Sequence, residues 1–403
     1  MIGTFRSALS FCLTLLCVML LALAGCENPG SVGTGIGDSR ADVVIDTIAV
    51  DNINTRNFNY YSGNFSYFSA GQYDDPLLGN ITATGLIKPA LPTVSDESVN
   101  EDAGMLMRLI FNNNQVYGDS LSDQTFDIYE VGEIWRSNAV RLQDDLQLDQ
   151  ANGPIGSFTV GSEDSVDIEL PQEWVRKYRQ YADTTNSDSL YSREVFGLAL
   201  VPSNSNKIIA PNTADTRFVI QNPDADTFSV STSEWGYLLE RGNTGGLPQG
   251  SVAWHGTYEQ LLSFGLDLSG IDVQGPDIAK AELVLYRNDE LMQQSLQSEP
   301  ISAGRPDESN ARLYLVNPED LPDNITPGTP IANGSYSSDD GAYHFRITGQ
   351  LQTLLDGGFP EDQELVVTLV NDGIVKTSVM YDENAPADKR PKLIITSLKN
   401  NTN

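Results

Sequence analysis

A succession of short apolar runs, broken by Gly, Asn, Asp and Pro, constrains this chain more than any other feature of its sequence. Residues 43–50, 105–111 and 125–131 are representative, because their side chains are mainly β-branched, aromatic or aliphatic and several alternate with polar ones. Such runs between turn-forming residues are typical of antiparallel strands. The sequence therefore predicts an all-β protein.

Blocks of the first half recur in the same order about 175 residues later, which is the signature of an internal repeat. In both halves a strand leads into a short amphipathic helix, which is followed by an apolar strand, and the spacing in the first helix predicts that Trp174, Val175 and Tyr178 share one face. The matched blocks are 85–91 with 265–271, 105–111 with 281–286, 166–170 with 343–347, 195–201 with 365–370, and 217–220 with 392–395. This order predicts two tandem, related β-sandwich domains of jelly-roll type, each with one short helix.

The repeat also sets the predicted domain boundaries. The first sandwich is expected over 42–222 and the second over 251–398, with a short tail at 399–403. Residues 223–250 are rich in Asn, Asp, Ser, Thr and Gly, a composition typical of exposed connections, and are predicted to form a linker.

The amino-terminal segment has the pattern of a bacterial lipoprotein signal. Arg6 precedes an apolar run that ends in small residues directly before Cys26. Residues 1–25 are therefore predicted to be cleaved and Cys26 to carry the lipid, with 26–41 as a Gly-rich tether. An ordinary signal peptide with a cysteine there by chance is the alternative. We expect export and anchoring, with the outer membrane as the destination and the membrane face left open.

The charge of the chain limits its partners. With 24 basic and 55 acidic residues its formal net charge is −31. Nucleic acid is excluded as a partner, because its binding needs a basic surface that displaces counterions. Attraction of cations or basic partners and simple solubility both remain compatible with such a charge.

Several motifs together resemble a known family. The tether segment 31–37, Asp46 and Thr47, and the stretches 71–79 and 126–131 resemble uncharacterised surface lipoproteins of gram-negative bacteria, a family described only as a domain of unknown function. Each half is also similar to jelly-roll modules of the carbohydrate-binding type. Residues 390–395 match the characteristic ending of these modules, and residues 215–220 match it except that the proline is missing. Neither resemblance supplies catalytic residues.

Candidate catalytic and metal-binding residues are few. His255 and His344 are the only histidines, and no serine elbow or phosphate-binding loop is present. The chain is therefore predicted not to be an enzyme and to need no cofactor. A structural calcium ion is the one metal considered, at Asp183, Asn186 and Asp188, with a solvated acidic loop as the alternative.

Aromatic residues crowd the junction of the two halves and suggest a platform for a ligand: Trp235, Tyr237, Trp254 and Tyr258. Such rings can stack on sugars or peptides, or can simply fill the core of a sandwich. The sequence as a whole predicts a non-catalytic binding or envelope-assembly module for an extracellular glycan or an envelope protein. A polysaccharide hydrolase with an unrecognised carboxylate site is the alternative.

Overall fold

A computed structural model describes residues 41–93, 98–182, 187–223, 227–242, 246–266, 268, 277–317, 329–357 and 363–400. The predicted signal peptide, Cys26 and the tether up to residue 40 lie outside the described residues. Ile45–Thr396 form one compact unit, to which all contacts below belong. Met1–Val44 and Ser397–Asn403 form the other unit, and its described residues are the outer ends of two strands.

The described residues form mainly strands, with a few short helices. The first half contains β1 (Ala41–Asn57), β2 (Ala70–Asp75), β3 (Gly79–Pro89), β4 (Gly104–Ile110), β5 (Tyr117–Asp119), β6 (Gln124–Glu130), β7 (Gly156–Val160), β8 (Ser165–Glu169), α1 (Gln172–Ala182), α2 (Ser187–Glu194), β9 (Leu198–Pro202), β10 (Lys207–Ile209), β11 (Arg217–Gln221), β12 (Phe228–Val230) and β13 (Thr232–Arg241). The second half contains β14 (Ser251–His255), β15 (Gln260–Leu266), β16 (Ile278–Tyr286), α3 (Asp289–Gln294), β17 (Ala303–Gly304), β18 (Asn310–Val316), β19 (Ala332–Ser337), β20 (Ala342–Arg346), α4 (Thr348–Gly357), β21 (Glu364–Leu369), β22 (Thr377–Tyr381) and β23 (Lys392–Asn400).

The strands assemble into sheets with antiparallel registers. In the first half, β5-β10-β2-β3-β9-β6-β7 form one sheet, which β13 joins at β3 and β17 of the second half joins at β5, and β12-β11-β4-β8 form another. In the second half, β1-β15-β21-β18-β19-β20-β16-β23 close into a barrel, and β14 pairs with β22. The prediction of an all-β protein with few short helices is therefore confirmed.

The two halves have equivalent strand orders. The order β3-β9-β6-β7 of the first half corresponds to β15-β21-β18-β19, and β8-β4-β11 corresponds to β20-β16-β23. The pairing of β2 with β10 has its counterpart in β14 with β22. The four pairs of matched blocks that the structure describes in full, all but 85–91 with 265–271, thus occupy the same places among their neighbours in both halves.

The strand that precedes each half in sequence is exchanged between the halves. β1 pairs with β15 of the second half, from Val50 opposite Leu266 to Asn57 opposite Gln260. β12 pairs with β11, and β13 pairs with β3, both in the first half. The segment 228–241 thus takes the place in the first half that β1 takes in the second.

The predicted domain boundaries are corrected by this exchange. Residues 228–241 of the predicted linker 223–250 are strands of the first sheets, and the first residues of the predicted domain 42–222 belong to the second-half barrel. The sequence pattern identifies a strand by its own residues. It does not identify the partner, which depends on contacts distant in sequence.

Further contacts hold the two halves together. β17 pairs with β5, so that Gly304 lies opposite Gly118. At Gly373, whose φ is +99°, a Cβ atom would lie 2.0 Å from the carbonyl oxygen of Tyr67. Only glycine fits there, because a side chain would collide with backbone in a conformation that L-residues rarely adopt.

Each half encloses its own apolar core. Phe126, Leu198 and Phe218 are fully buried in the first, and Leu283 and Phe345 in the second. Burial of each such side chain contributes roughly 1.5–3 kcal/mol to the free energy of folding.

The helix α1 covers the first core with the face predicted from its spacing. Its buried residues are the adjacent Trp174 and Val175 and, one turn further on, Tyr178. Its carboxyl end and α2 thereby lie beside the end of β3, where the candidate site is found. Among the described residues, no helix combines the length and the apolar character needed to cross a bilayer.

Candidate binding cleft

The aromatic residues predicted as a platform lie mostly inside the protein. Trp254 and Tyr237 have no exposed surface, and Tyr258 is 5 % exposed. The ring of Trp254 packs edge-on against Tyr343 with centroids 5.2 Å apart. Trp235 is half-buried, and its indole Nε1 donates to the carbonyl oxygen of Phe65 at 2.8 Å. Trp254, Tyr237 and Tyr258 are therefore core residues, whereas Trp235 keeps part of its surface exposed.

The residues predicted to bind calcium are only partly described. Asp183 and Asn186 lie outside the described residues, and Asp188 is exposed in the first turn of α2. Where the structure is described, no group of three His, Cys, Asp or Glu side chains is arranged to hold a metal ion.

A cleft opens where β3 leaves the first sheet. It has a volume of 670 Å³ and is bounded by the end of β3, the start of β13, α2 and the last residue of α1. We call it the Lys88 cleft. Its lining residues are Lys88, Ala90, Leu91, Pro92, Thr93, Arg136, Ala182, Asp188, Tyr191, Ser192, Ser233 and Glu234.

Lys88 contributes an almost fully buried ammonium group to this cleft. It lies opposite Glu234 in the register of β3 with β13 and is only 4 % exposed. Its Nζ donates to the carbonyl oxygen of Tyr191 at 3.4 Å and lies 4.3 Å from the centroid of the Tyr191 ring. Burial, together with the charge of Arg136, lowers the pKa of Lys88 to about 8, although Glu234 opposes the shift.

Tyr191 and Ser233 fix the wall on which Lys88 rests. The hydroxyl of Tyr191 donates to the carbonyl oxygen of Pro89 at 2.7 Å, and the same oxygen accepts from Oγ of Ser233 at 3.0 Å. The Tyr191 side chain is 4 % exposed and packs edge-on against Tyr178. The wall is therefore preformed, because the core and two hydrogen bonds hold it in place.

Arg136 and Glu234 form an ion pair that also lines the cleft. Arg136 Nη1 lies 3.1 Å from Oε1 of Glu234, whose Oε2 accepts from the backbone N–H of Ser137 at 2.7 Å. The carboxylate of Glu234 is thus committed to these two donors. The cleft offers ammonium, guanidinium and hydroxyl donors together with carboxylate acceptors, a set suited to binding a polar ligand.

Neither histidine lines the Lys88 cleft. His255 is buried beside a smaller cavity of 240 Å³ at the junction of the halves, which Arg241 and Glu259 also line. Its Nδ1 lies 2.9 Å from Oγ1 of Thr377. His344, in β20, is half-buried, and its Nε2 lies 3.0 Å from Oδ2 of Asp340.

Sequence reasoning missed Lys88 as a functional candidate. The residue stands in 85–91, a block used above only to establish the repeat. A lysine inside an otherwise apolar strand was the available signal, because lysine is rarely buried without a partner. The neighbouring Asp188 was considered, but for calcium.

Comparison with known proteins does not assign the chain to a family. No protein-family model and no curated protein sequence matches it. Among solved structures, the Macrobrachium rosenbergii nodavirus matches at 9 % identity and a TM-score of 0.15, covering 94 % of this chain and 96 % of its own. The CupB6 tip adhesin from Pseudomonas aeruginosa matches at 10 % identity and a TM-score of 0.09, covering 90 % and 99 %.

Proposed function

We propose that this chain is a non-catalytic binding protein, exported and anchored to the outer membrane through lipid on Cys26, whose Lys88 cleft takes an extracellular glycan. The observation that carries the proposal is the preformed 670 Å³ cleft with its mixed polar lining. Small-molecule sites typically measure about 300–1,000 Å³ and fix their ligand with a few placed polar groups. The proposal also rests on the resemblance to surface lipoproteins and carbohydrate-binding modules.

A glycan suits the lining better than an apolar ligand does. Sugar hydroxyls both donate and accept hydrogen bonds, and the cleft supplies both kinds of partner. Ser192, Ser233 and Thr93 offer hydroxyls, whereas Asp188 offers an exposed carboxylate. A partner protein of the envelope is the competing ligand, and its capture is one outcome of the test.

Binding is tested with the full-length chain, purified in detergent, on a glycan array. We expect retention of a subset of polysaccharides, and loss of that retention in Ser192→Trp, whose indole would fill the cleft. Ser189→Trp is the matched control, because Ser189 is exposed on the same helix and lines no part of the cleft. An array without hits, alongside co-purification of one envelope protein, would replace the glycan with a protein ligand. Turnover of a substrate panel would refute the non-catalytic assignment.

Anchoring is tested separately. Wild-type protein should partition with membranes and carry lipid on Cys26, and Cys26→Ala should lose both. Cys12→Ala and Cys17→Ala are the controls, because these two cysteines lie in the predicted signal and should not alter lipidation. Unchanged membrane retention and mass in Cys26→Ala would contradict the lipoprotein assignment.

A further inference from the structure

The Lys88 ammonium has more hydrogen-bond donors than the described residues engage. A lysine carries three N–H donors, and the single hydrogen bond formed by Lys88 Nζ within the described part of the chain is the 3.4 Å contact to Tyr191. That contact is longer than the usual range of about 2.7–3.2 Å for such a bond. Lys88 is also one of the residues that line the cleft.

Lys88 also lacks a counter-ion of its own. Among the described residues no carboxylate is paired with it; Glu234, whose charge favours the ammonium, forms its contacts with Arg136 and the N–H of Ser137. Burial of an unpaired cation is costly. Lys376, which is buried as well, has two carboxylate partners at 2.8 and 2.7 Å.

A third buried lysine shows how backbone oxygens can satisfy a buried ammonium group. Lys207, also without a paired carboxylate among the described residues, donates to the carbonyl oxygens of Gly161 at 2.6 Å and Ser120 at 3.3 Å. It lines none of the described clefts of the molecule. Lys88 differs by having one long bond and an open volume beside it.

The charge of the whole chain sharpens this contrast. At a formal net charge of −31 most of the surface repels anions, whereas the cleft sets Lys88 and Arg136 against two carboxylates, Asp188 and the Glu234 that pairs with Arg136. A desolvated ammonium binds an anionic oxygen more strongly than an exposed one does, because the surroundings screen the attraction less.

We infer that the ligand of the Lys88 cleft is an acidic glycan whose carboxylate pairs with the ammonium of Lys88, an inference that rests on the proposed function. The carboxylate would supply the counter-ion that the folded chain withholds from Lys88. The sugar hydroxyls would then meet Ser192, Ser233 and Asp188 around it. Sulfate esters share the anionic chemistry, and the test below distinguishes them.

The test compares three probes by calorimetry at low salt: polygalacturonate oligosaccharides, the same oligosaccharides with their carboxyl groups reduced to alcohols, and a sulfated neutral glycan. For the full-length wild-type chain we expect the carboxylated probe to bind at least tenfold more tightly than the reduced one. Lys88→Met should lose that preference. Lys88→Arg, which keeps the charge, should retain part of it.

Lys280→Met is the control, because Lys280 is 53 % exposed in the second half and pairs with Glu282. It should leave all three affinities unchanged. Equal binding of carboxylated and reduced probes by wild type would overturn the inference and leave glycan binding standing, and that result needs no folded variant. Preference for the sulfated probe would overturn the assignment to a carboxylate. Absence of binding to every glycan would instead refute the proposed function.

Discussion

Arg305 holds Asp75 in a two-point ion pair that joins the halves of the protein. Nε and Nη2 of Arg305 donate to the two carboxylate oxygens at 2.6 and 2.7 Å, and the side chains are 2 % and 0 % exposed. Asp75 also accepts from the hydroxyl of Tyr117 and from the backbone N–H groups of Leu77 and Leu78. A buried pair with its hydrogen-bonding capacity filled is costly to break by removal of one member.

Removal of the Asp75 charge should therefore destabilise the whole unit. We expect Asp75→Asn to lower the free energy of unfolding by about 3–5 kcal/mol, because the Arg305 guanidinium would stay buried without its counter-ion. Urea denaturation followed by circular dichroism measures the change. Asp167→Asn is the control: its pair with Arg108 is exposed, and it should cost less than about 1 kcal/mol. Equal losses in both variants would contradict the importance assigned to burial.

His255 should make the fold sensitive to mild acid. Burial, together with the nearby Arg241, holds the pKa of His255 well below 6.5. Below pH 6.5 the unfolded chain binds a proton at His255 that the folded chain does not bind. The free energy of unfolding is therefore highest above pH 6.5 and falls as the pH drops below it. His255→Gln should remove up to about 2 kcal/mol of the loss between pH 6.5 and 5. His344→Gln should keep the wild-type loss, and an unchanged acid response in His255→Gln would exclude His255 as its source.

Trp254 should matter for stability and not for binding. Because its ring is fully buried against Tyr343, we expect Trp254→Ala to lower the free energy of unfolding by about 3–5 kcal/mol. Trp254→Phe should recover part of this. The folded fraction of both variants should bind glycan with wild-type affinity in the calorimetric assay. A selective loss of glycan affinity at unchanged stability would restore the platform hypothesis for this residue.

The buried charge of Lys88 should lower the free energy of unfolding. Because its pKa is lowered to about 8, the burial cost is fully present below pH 8 and is relieved as the pH rises further, when the folded chain releases the proton first. Lys88→Met should therefore raise the free energy of unfolding at pH 7 by no more than about 3 kcal/mol. The advantage should shrink between pH 8 and 10. Denaturant titrations across this range check the trend, and a constant difference would show that Lys88 is not desolvated.

The sequence predicted those features that short segments determine. Apolar runs identified the strands, and the spacing of Trp174, Val175 and Tyr178 identified the buried face of α1. The partner of β13 was out of reach, because its residues suit any half-buried position in a sheet. The same limit applied to the aromatic residues, since Trp254 on a surface and Trp254 in a core have the same local sequence.

The Lys88 cleft could be predicted only in part. Asp188 and the neighbourhood of Trp235 drew attention to the region, but the wall depends on Tyr191 reaching back to Pro89 across about a hundred residues of chain. Whether a lysine in a strand is exposed or buried depends on what covers it. Here α2 does so, through Tyr191, which contacts both Lys88 and Pro89.

Because of the exchange of β1 and β13, β1 is synthesised long before the strand with which it pairs. β1 leaves the ribosome first, yet its partner β15 follows more than 200 residues later. Until then β1 presents an unpaired edge of the kind that promotes aggregation. A fragment limited to 251–398 would lack β1, one of the strands of its barrel, and a fragment limited to 42–222 would lack β13. The two repeats therefore mature together or not at all, and cutting between them yields two incomplete folds instead of two modules.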